Sequence, residues 1–436
     1  MDIPRVTCTF IPPWLLERIG AADALALDEQ LRVRRTARAA GPRTTAARAV
    51  DVPAWTVHDA DNATKLPGRP VRTAGQPAIG DVTVDEAADG IEATLLMFAE
   101  AFARDSYDGA GAPVSITVHY GKDYDNAFWD GAQLVFGDGD RTVFERFTSS
   151  SDVLAHEFGH AVTEHTAALA YRDQSGALNE SISDVFAACF KQRLAGETAT
   201  EGDWLIGEGI FVAGINARAL RDMAAPGTAY DDPTLGSDPQ VGHMDDYIRT
   251  TDDNGGVHLN SGIPNRAFQL AATAIGGTSL EGAGQIWYAA LTSGTLTPTA
   301  DFAAFAAVTV AAAGEHVDAV TSAWQQVGVT ADATTPAPGP VESGGERVVR
   351  VRRSGGFAGR TEEGVVSLDA ADDGVRAIVE RIDLDAAAAG AAAYRQMPDM
   401  YLYTFQVADG DPVTLPEQAL SGDLHELAEL VLRRDR

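Results

Sequence analysis

Apolar and polar positions along this chain change their period more than once. Between residues 49 and 148 short runs alternate, in VPAWTVHDA, VSITVHY and AQLVFGDGD, and a period of two predicts strands. One stretch in this part, DEAADGIEATLLMFAEAF, repeats its apolar positions every three to four residues and predicts a helix. From Asp152 to about Val329 the helical period dominates, broken by Gly- and Asp-rich loops such as TTDDNGGVHLNSG. A β-rich half beside a helical half predicts an α+β fold of two lobes with a cleft between them, a common place for catalytic chemistry.

The flanks differ from this body. Residues 1–48 end in an Arg-rich stretch without acids, and GPRTTAARA has the small, polar character of an exposed connector. They read as a short N-terminal propeptide with a cleavable junction after about Arg48. Two lobes follow, at 49–167 and 168–329, and then the Pro/Gly-rich linker TADATTPAPGPVESGG at 330–345. Residues 346–436 predict a small α/β domain: a strand in ERVVRVRRSG, a helix in DDGVRAIVERI, a hairpin in MYLYTFQVADGDPVTL and an amphipathic helix in GDLHELAELVLRR.

Composition narrows the function. A net charge of −30 argues against nucleic acid as a partner, because phosphate contacts need clustered Lys and Arg. No apolar run is long enough to span a membrane, and the N-terminus lacks the basic start and apolar core of a secretory signal. The expected location is the cytoplasm, or outside the cell by a route that uses no ordinary signal peptide. An Ala-rich, Lys-poor composition points to a bacterial source. Cys189, in the apolar run DVFAACF, reads as a buried reduced thiol.

The chemistry concentrates in VLAHEFGHAVTEH. On a helix, positions i and i+4 lie about 40° apart, so His156 and His160 project from one face and can share a metal. Zinc suits them, since three protein ligands leave a place for water. Glu157 stands where it can take that water's proton. A distal third His is excluded, because Thr163 and Thr166 hold the Gly and His positions of the longer motif, and His165 points to the opposite face. GALNESISD offers Glu180 as third ligand instead, with Asp184 and Asn179 placed to accept the second ring N–H of His156 and of His160. At this point a solvated acidic helix face remains the alternative for Glu180 and Asp184.

The motifs NAFWDG, HEFGHAVTEH, GALNESISD and DNGGVHLNSG resemble the thermolysin family of metallopeptidases, in its protealysin-like branch, nearly continuously over residues 50–329. The resemblance implies a β-rich N-terminal lobe and a helical C-terminal lobe, with zinc between them. It implies that Asn126 and Ala127 hold the substrate backbone and that Tyr171 and His258 donate to the oxyanion. Asp253 would orient His258, and Arg221 would hold a carbonyl on the leaving side. Leu220, Val153, Phe144 and Ile206 would form the pocket for the residue after the scissile bond. Asp152, Asp203 and Glu208 match acidic calcium positions, but Lys191 and Leu205 replace two further acids, which leaves room for one calcium ion at most.

CTFIPPWLLERI resembles the short propeptide of that branch, which covers the active site before maturation. Cys8 is a less favoured zinc ligand within it. Residues 346–432 resemble emfourin, a small inhibitor of such proteases, on VRRSGGFAG and the hairpin YLYTFQV. The expectation is a neutral zinc endopeptidase precursor that cuts protein and peptide substrates before hydrophobic residues. Its propeptide and C-terminal domain would restrain it in cis. The alternative is a silent zinc-bound scaffold whose C-terminal domain inhibits other metalloproteases.

Overall fold

The computed structural model describes residues 8–28, 54–331 and parts of 348–432. The chain divides into two compact units, one ending at Ala337 and the other beginning at Pro338. The junction expected after about Arg48 and most of the linker lie outside the described residues.

The first unit begins with a two-residue strand, β1 (Cys8–Thr9), and a short helix, α1 (Pro13–Ile19). Pro12 and Pro13 fix φ where an extended chain enters a helix, and Gly20 ends it in the left-handed region. The expected strands follow as β2 (Trp55–Asp59), β4 (Val114–Val118) and β6 (Leu134–Phe136). Two strands missed by the periodicity, β3 (Arg69–Thr73) and β5 (Ala127–Trp129), complete the sheet. All three residues of β5 are buried, so it carries no alternation to read. The sheet order is β1-β5-β6-β4-β2-β3. β1 pairs antiparallel with β5 and covers what would otherwise be an open edge.

Helix α2 (Val82–Phe102) starts three residues before the predicted run. Asp81 caps it, accepting from the N–H groups of Thr83 and Val84 at 3.0 and 3.3 Å. His119 ties this cap to the loop after β6, with Asp138 at 2.6 Å and Asp81 at 3.2 Å. The hydrogen bond to Asp138 and the two carboxylate charges raise the His119 imidazole from 6.5 to about 9, against its burial. A raised folded-state pKa gives stability that is complete below pH 6.5 and fades as pH rises through about 9. His119→Gln is therefore expected to lower the melting temperature near pH 6. It should also flatten the profile between pH 6.5 and 9; an unchanged profile by calorimetry would refute the coupling.

Helices α3 (Ser151–Glu164) and α4 (Asp173–Ala195) pack against each other behind the sheet. Within the second lobe, whose helical period is broken by Gly- and Asp-rich loops, residues 196–252 contain no α-helix. They form turns and the short strands β7 (Leu205–Ile206), β8 (Arg221–Asp222), β9 (Asp231–Asp232) and β10 (Gly236–Ser237). Gly, Pro, Asp and Asn recur through this stretch and favour turns over helix. Five helices follow: α5 (Asp253–Asn260), α6 (Gly262–Ile275), α7 (Ala283–Thr292), α8 (Phe302–Ala312) and α9 (Val317–Gln326). Among the described residues no helix is long and apolar enough to cross a membrane.

The second unit is a separate four-stranded antiparallel sheet of order β12-β11-β13-β14. Its strands are β11 (Val348–Gly355), β12 (Glu362–Ser367), β13 (Tyr401–Val407) and β14 (Val413–Pro416). On β11, Val349 and Val351 are buried while Arg352 is exposed, the alternation that marked this strand in the sequence. Helix α10 (Gly422–Leu432) adds Leu424, Leu427 and Val431 to the same core. The helix expected in DDGVRAIVERI falls largely outside the described residues.

Candidate active site

The site grows from the packing of α3 on α4. His156 and His160 leave one face of α3, and their Nε2 atoms lie 2.9 Å apart. Glu180 of α4 faces them, its carboxylate oxygens 3.5 Å from Nε2 of His156 and 3.7 Å from Nε2 of His160. Among the described residues this is the group in which three metal-ligating side chains converge, within 4.8 Å of one another. The fourth residue of the motif makes that convergence possible. A side chain on Gly159 would put its Cβ 2.8 Å from the Cα of Ser183, so anything but glycine would push α4, and Glu180 with it, away.

The outer ring nitrogens are held as the helix spacing suggested. Nδ1 of His156 donates to Asp184 at 2.8 Å, and Nδ1 of His160 donates to Asn179 at 2.8 Å. Each bond fixes the tautomer that turns an Nε2 lone pair toward Glu180. The Arg221 guanidinium grips Asp184 through Nε at 2.8 Å and Nη2 at 2.7 Å, and Asn265 adds a bond at 2.8 Å. Burial alone would raise the Asp184 carboxyl, but Arg221 and His156 hold it at about 2. His165, by contrast, turns to the carbonyl of Ala161 and the ring of Tyr107, away from the metal group.

Glu157 is fully buried, and its carboxylate interacts with the Trp129 backbone. Burial pushes its carboxyl up to about 8, against the pull of His156. At the start of α5, Asp253, Asn254, Gly255 and Gly256 run through four successive positive φ values of 51°, 52°, 88° and 75°. Asp, Asn and Gly are the residue types that tolerate this region. The resulting left-handed turn folds the Asp253 carboxylate back onto its own helix, 2.8 Å from the N–H of His258 and 2.6 Å from Nδ1. Nε2 of His258 lies 3.2 Å from the Tyr171 hydroxyl, which donates to Glu180.

Asn126 and Ala127, expected to hold a substrate backbone, are bonded by the chain's own N-terminal segment. Phe10 is fully buried, its ring edge-on to His156 at 5.1 Å and under the Arg221 guanidinium at 4.7 Å. Gly207 makes room for it, since a Cβ there would lie 3.2 Å from both the Phe10 ring and Leu220. Ile206 precedes Gly207 on β7 and pairs with Arg221. Val153 is buried in the same core cluster, while Phe144 packs at a tilt against Phe147 and Phe211. The side chain of Cys8 lies outside the described ones.

The sequence reading missed Phe10, Gly159 and Gly207 as parts of the site. Only Gly159 carried a local signal, a glycine inside a helical motif.

The one calcium ion for which Asp152, Asp203 and Glu208 left room does not fit. The Lys191 ammonium already sits there, 2.7 Å from Asp203, 3.3 Å from Glu208 and 3.0 Å from the carbonyl of Leu205. Asp152 is spent on the Ser150 hydroxyl at 2.5 Å and the N–H of Gly207 at 2.8 Å. Cys189 is free and buried, and burial pushes its thiol up to about 12, so it is inert.

Comparison with known proteins agrees with this geometry. Residues 50–164 match the thermolysin metallopeptidase catalytic domain, residues 167–329 the thermolysin metallopeptidase alpha-helical domain, and residues 351–432 emfourin. An extracellular metalloprotease of Pectobacterium carotovorum subsp. carotovorum is 48% identical over 342 residues, spanning 74% of this chain and 97% of that protein. A thermolysin of Alicyclobacillus acidocaldarius is 40% identical over 238 residues, 51% of this chain and 41% of that one. The precursor of protealysin, a metalloproteinase of Serratia proteamaculans, superposes with a TM-score of 0.67 at 49% identity. That superposition covers 74% of this chain and all of the other. The chain thus belongs to the thermolysin family of metallopeptidases and is a metalloprotease with an emfourin-like region at its C-terminal end.

Proposed function

We propose that His156, His160 and Glu180 hold zinc, and that the protein is an endopeptidase cutting before hydrophobic residues. Two imidazole nitrogens and a carboxylate, each imidazole oriented by a hydrogen bond on its far nitrogen, are a donor set that fits this ion. Zinc held there supplies a Lewis acid that acidifies water and polarises a carbonyl. Glu157, fully buried next to His156, takes the proton of the attacking water and passes it to the leaving amine. His258, oriented by Asp253, and Tyr171 donate to the oxyanion as charge develops. Asn126 and Ala127 hold the substrate as an added strand, and Arg221 holds the carbonyl on the leaving side. Carrying the reading is the pose of Phe10: a large apolar side chain buried beside His156 while its carbonyl meets Arg221 at 3.4 Å.

The same pose supports a precursor held inactive by residues 1–48. The emfourin-like unit then acts in cis on the enzyme that has lost them. A linker of about 16 residues, extended at ~3.1 Å each, reaches up to ~50 Å, and tethering raises the effective concentration to about millimolar. A relative described as extracellular favours export over the cytoplasm.

Casein hydrolysis by the full chain and by a chain ending at Val329, with zinc content recorded, tests these proposals. The shortened chain is expected to cut at least tenfold faster. Equal rates would remove the C-terminal restraint, and zinc bound without any cutting would remove the enzyme reading.

A further inference from the structure

The N-terminal segment crosses the cleft in an ordered main-chain pattern. β1 runs antiparallel to β5, with Cys8 opposite Trp129 and Thr9 opposite Phe128. Nε2 of His258 donates to the carbonyl of Thr9 at 3.0 Å. The N–H of Phe10 donates to the carbonyl of Ala127 at 3.0 Å, and the carbonyl of Phe10 accepts from Arg221 at 3.4 Å. The N–H of Ile11 donates to Oδ1 of Asn126 at 2.8 Å, and its carbonyl accepts from Nδ2 of the same side chain at 3.2 Å.

Those contacts single out one peptide bond. Its carbonyl oxygen lies on the residue assigned to the oxyanion, and its nitrogen is held on the edge strand. The next carbonyl lies on the residue assigned to the leaving side. A segment displaced by one residue, or running the other way, would present a different set of groups to His258 and Arg221. Phe10 itself fills the apolar position beyond that bond. Pro12 and Pro13 follow two and three residues later, where α1 begins.

We propose that Thr9–Phe10 is a self-cleavage site: the N-terminal segment is bound in the direction and register of a substrate and is cut there. The inference rests on the peptidase reading above. In the reaction a water oxygen bonds to the carbonyl carbon of Thr9 and the C–N bond to Phe10 breaks. Both water protons end on the Phe10 nitrogen, which leaves as an ammonium, and Thr9 becomes a carboxylate. One water is consumed and nothing is oxidised or reduced.

The cut does not free the cleft. The part beyond it keeps the paired bonds of Ile11 to Asn126 and the buried Leu15 and Leu16. It also keeps Asp28, whose buried carboxylate accepts from the Tyr124 hydroxyl at 2.5 Å and from Asn126 at 3.0 Å. The new N-terminus therefore stays in place until the junction further along is cut.

The test follows the intact mass and N-terminal sequence of the zinc-loaded full chain over time, beside casein cleavage. The expected result is loss of residues 1–9 and a new N-terminus at Phe10 in the unaltered chain, with neither in Glu157→Gln. In metal-free Glu157→Gln, which cannot cut, hydrogen exchange reads the register directly. The amides of Phe10 and Ile11 should exchange at least tenfold more slowly than the Ile11 amide of a Phe10→Gly, Glu157→Gln chain. A chain that cuts casein, or itself elsewhere, while Thr9–Phe10 stays whole overturns the inference and leaves the peptidase reading standing. Unprotected amides at Phe10 and Ile11 also overturn it. No cleavage of any kind with zinc bound overturns both.

Discussion

Glu157→Gln is expected to lower peptide hydrolysis by about 10²–10⁴-fold, the range for losing a positioned general base. Zinc content and melting temperature should hardly change. Gln keeps the shape of the side chain, and its amide oxygen can still accept from the Trp129 backbone, so no partner is orphaned. The amide cannot accept the proton of an attacking water, and the loss should fall on kcat rather than on KM. Steady-state hydrolysis of a casein-derived peptide, with zinc measured by atomic absorption, checks this. Activity within threefold of the unaltered enzyme would show that another group moves the proton.

Asp184→Ala should affect metal binding and folding together. Asp184 sits one turn after Glu180 on α4 and holds His156, Arg221 and Asn265 at once. Losing the bond to His156 frees the imidazole to rotate, and zinc affinity should fall about 10–100-fold. Arg221 is only 3% exposed, so removing its bidentate carboxylate leaves a buried charge poorly compensated. Breaking such a pair typically costs about 3–5 kcal/mol. The Asp184 carboxyl is held below its ordinary 3.8, at about 2, so its contribution is present above pH 3.8 and is lost as pH falls toward 2. Competitive chelator titration and urea unfolding measure the two effects separately. Unchanged zinc affinity with a loss under about 1 kcal/mol would mean the carboxylate positions nothing.

Much of the site was legible because its parts are close in sequence and share helices. The i, i+4 pair of His156 and His160 needs only helical geometry to converge. Glu180 and Asp184 repeat the same spacing on the next helix, so the hydrogen bond from His156 to Asp184 could be anticipated. The edge at Asn126 and Ala127 was reached through the resemblance of NAFWDG. The three-residue β5 itself carries no periodicity to read. The second lobe is helical as its period implies, but over residues 196–252 turn residues prevail and Arg221 is delivered by a two-residue strand.

By itself the sequence determined the facing pair His156 and His160, the order of a strand-rich and a helical lobe, and the acidic charge. Each follows from composition or from periodicity within one element. Only the tertiary structure decided which bond of the N-terminal segment lies at His258, which glycines must stay side-chain-free, and that Lys191 takes the place expected for calcium. Those contacts join residues as far apart as Thr9 and His258, 249 positions along the chain. Local pattern fixes which face of an element is apolar. It does not fix how two elements approach when the chain between them closes a long loop, and there the close packing of side chains selects the register.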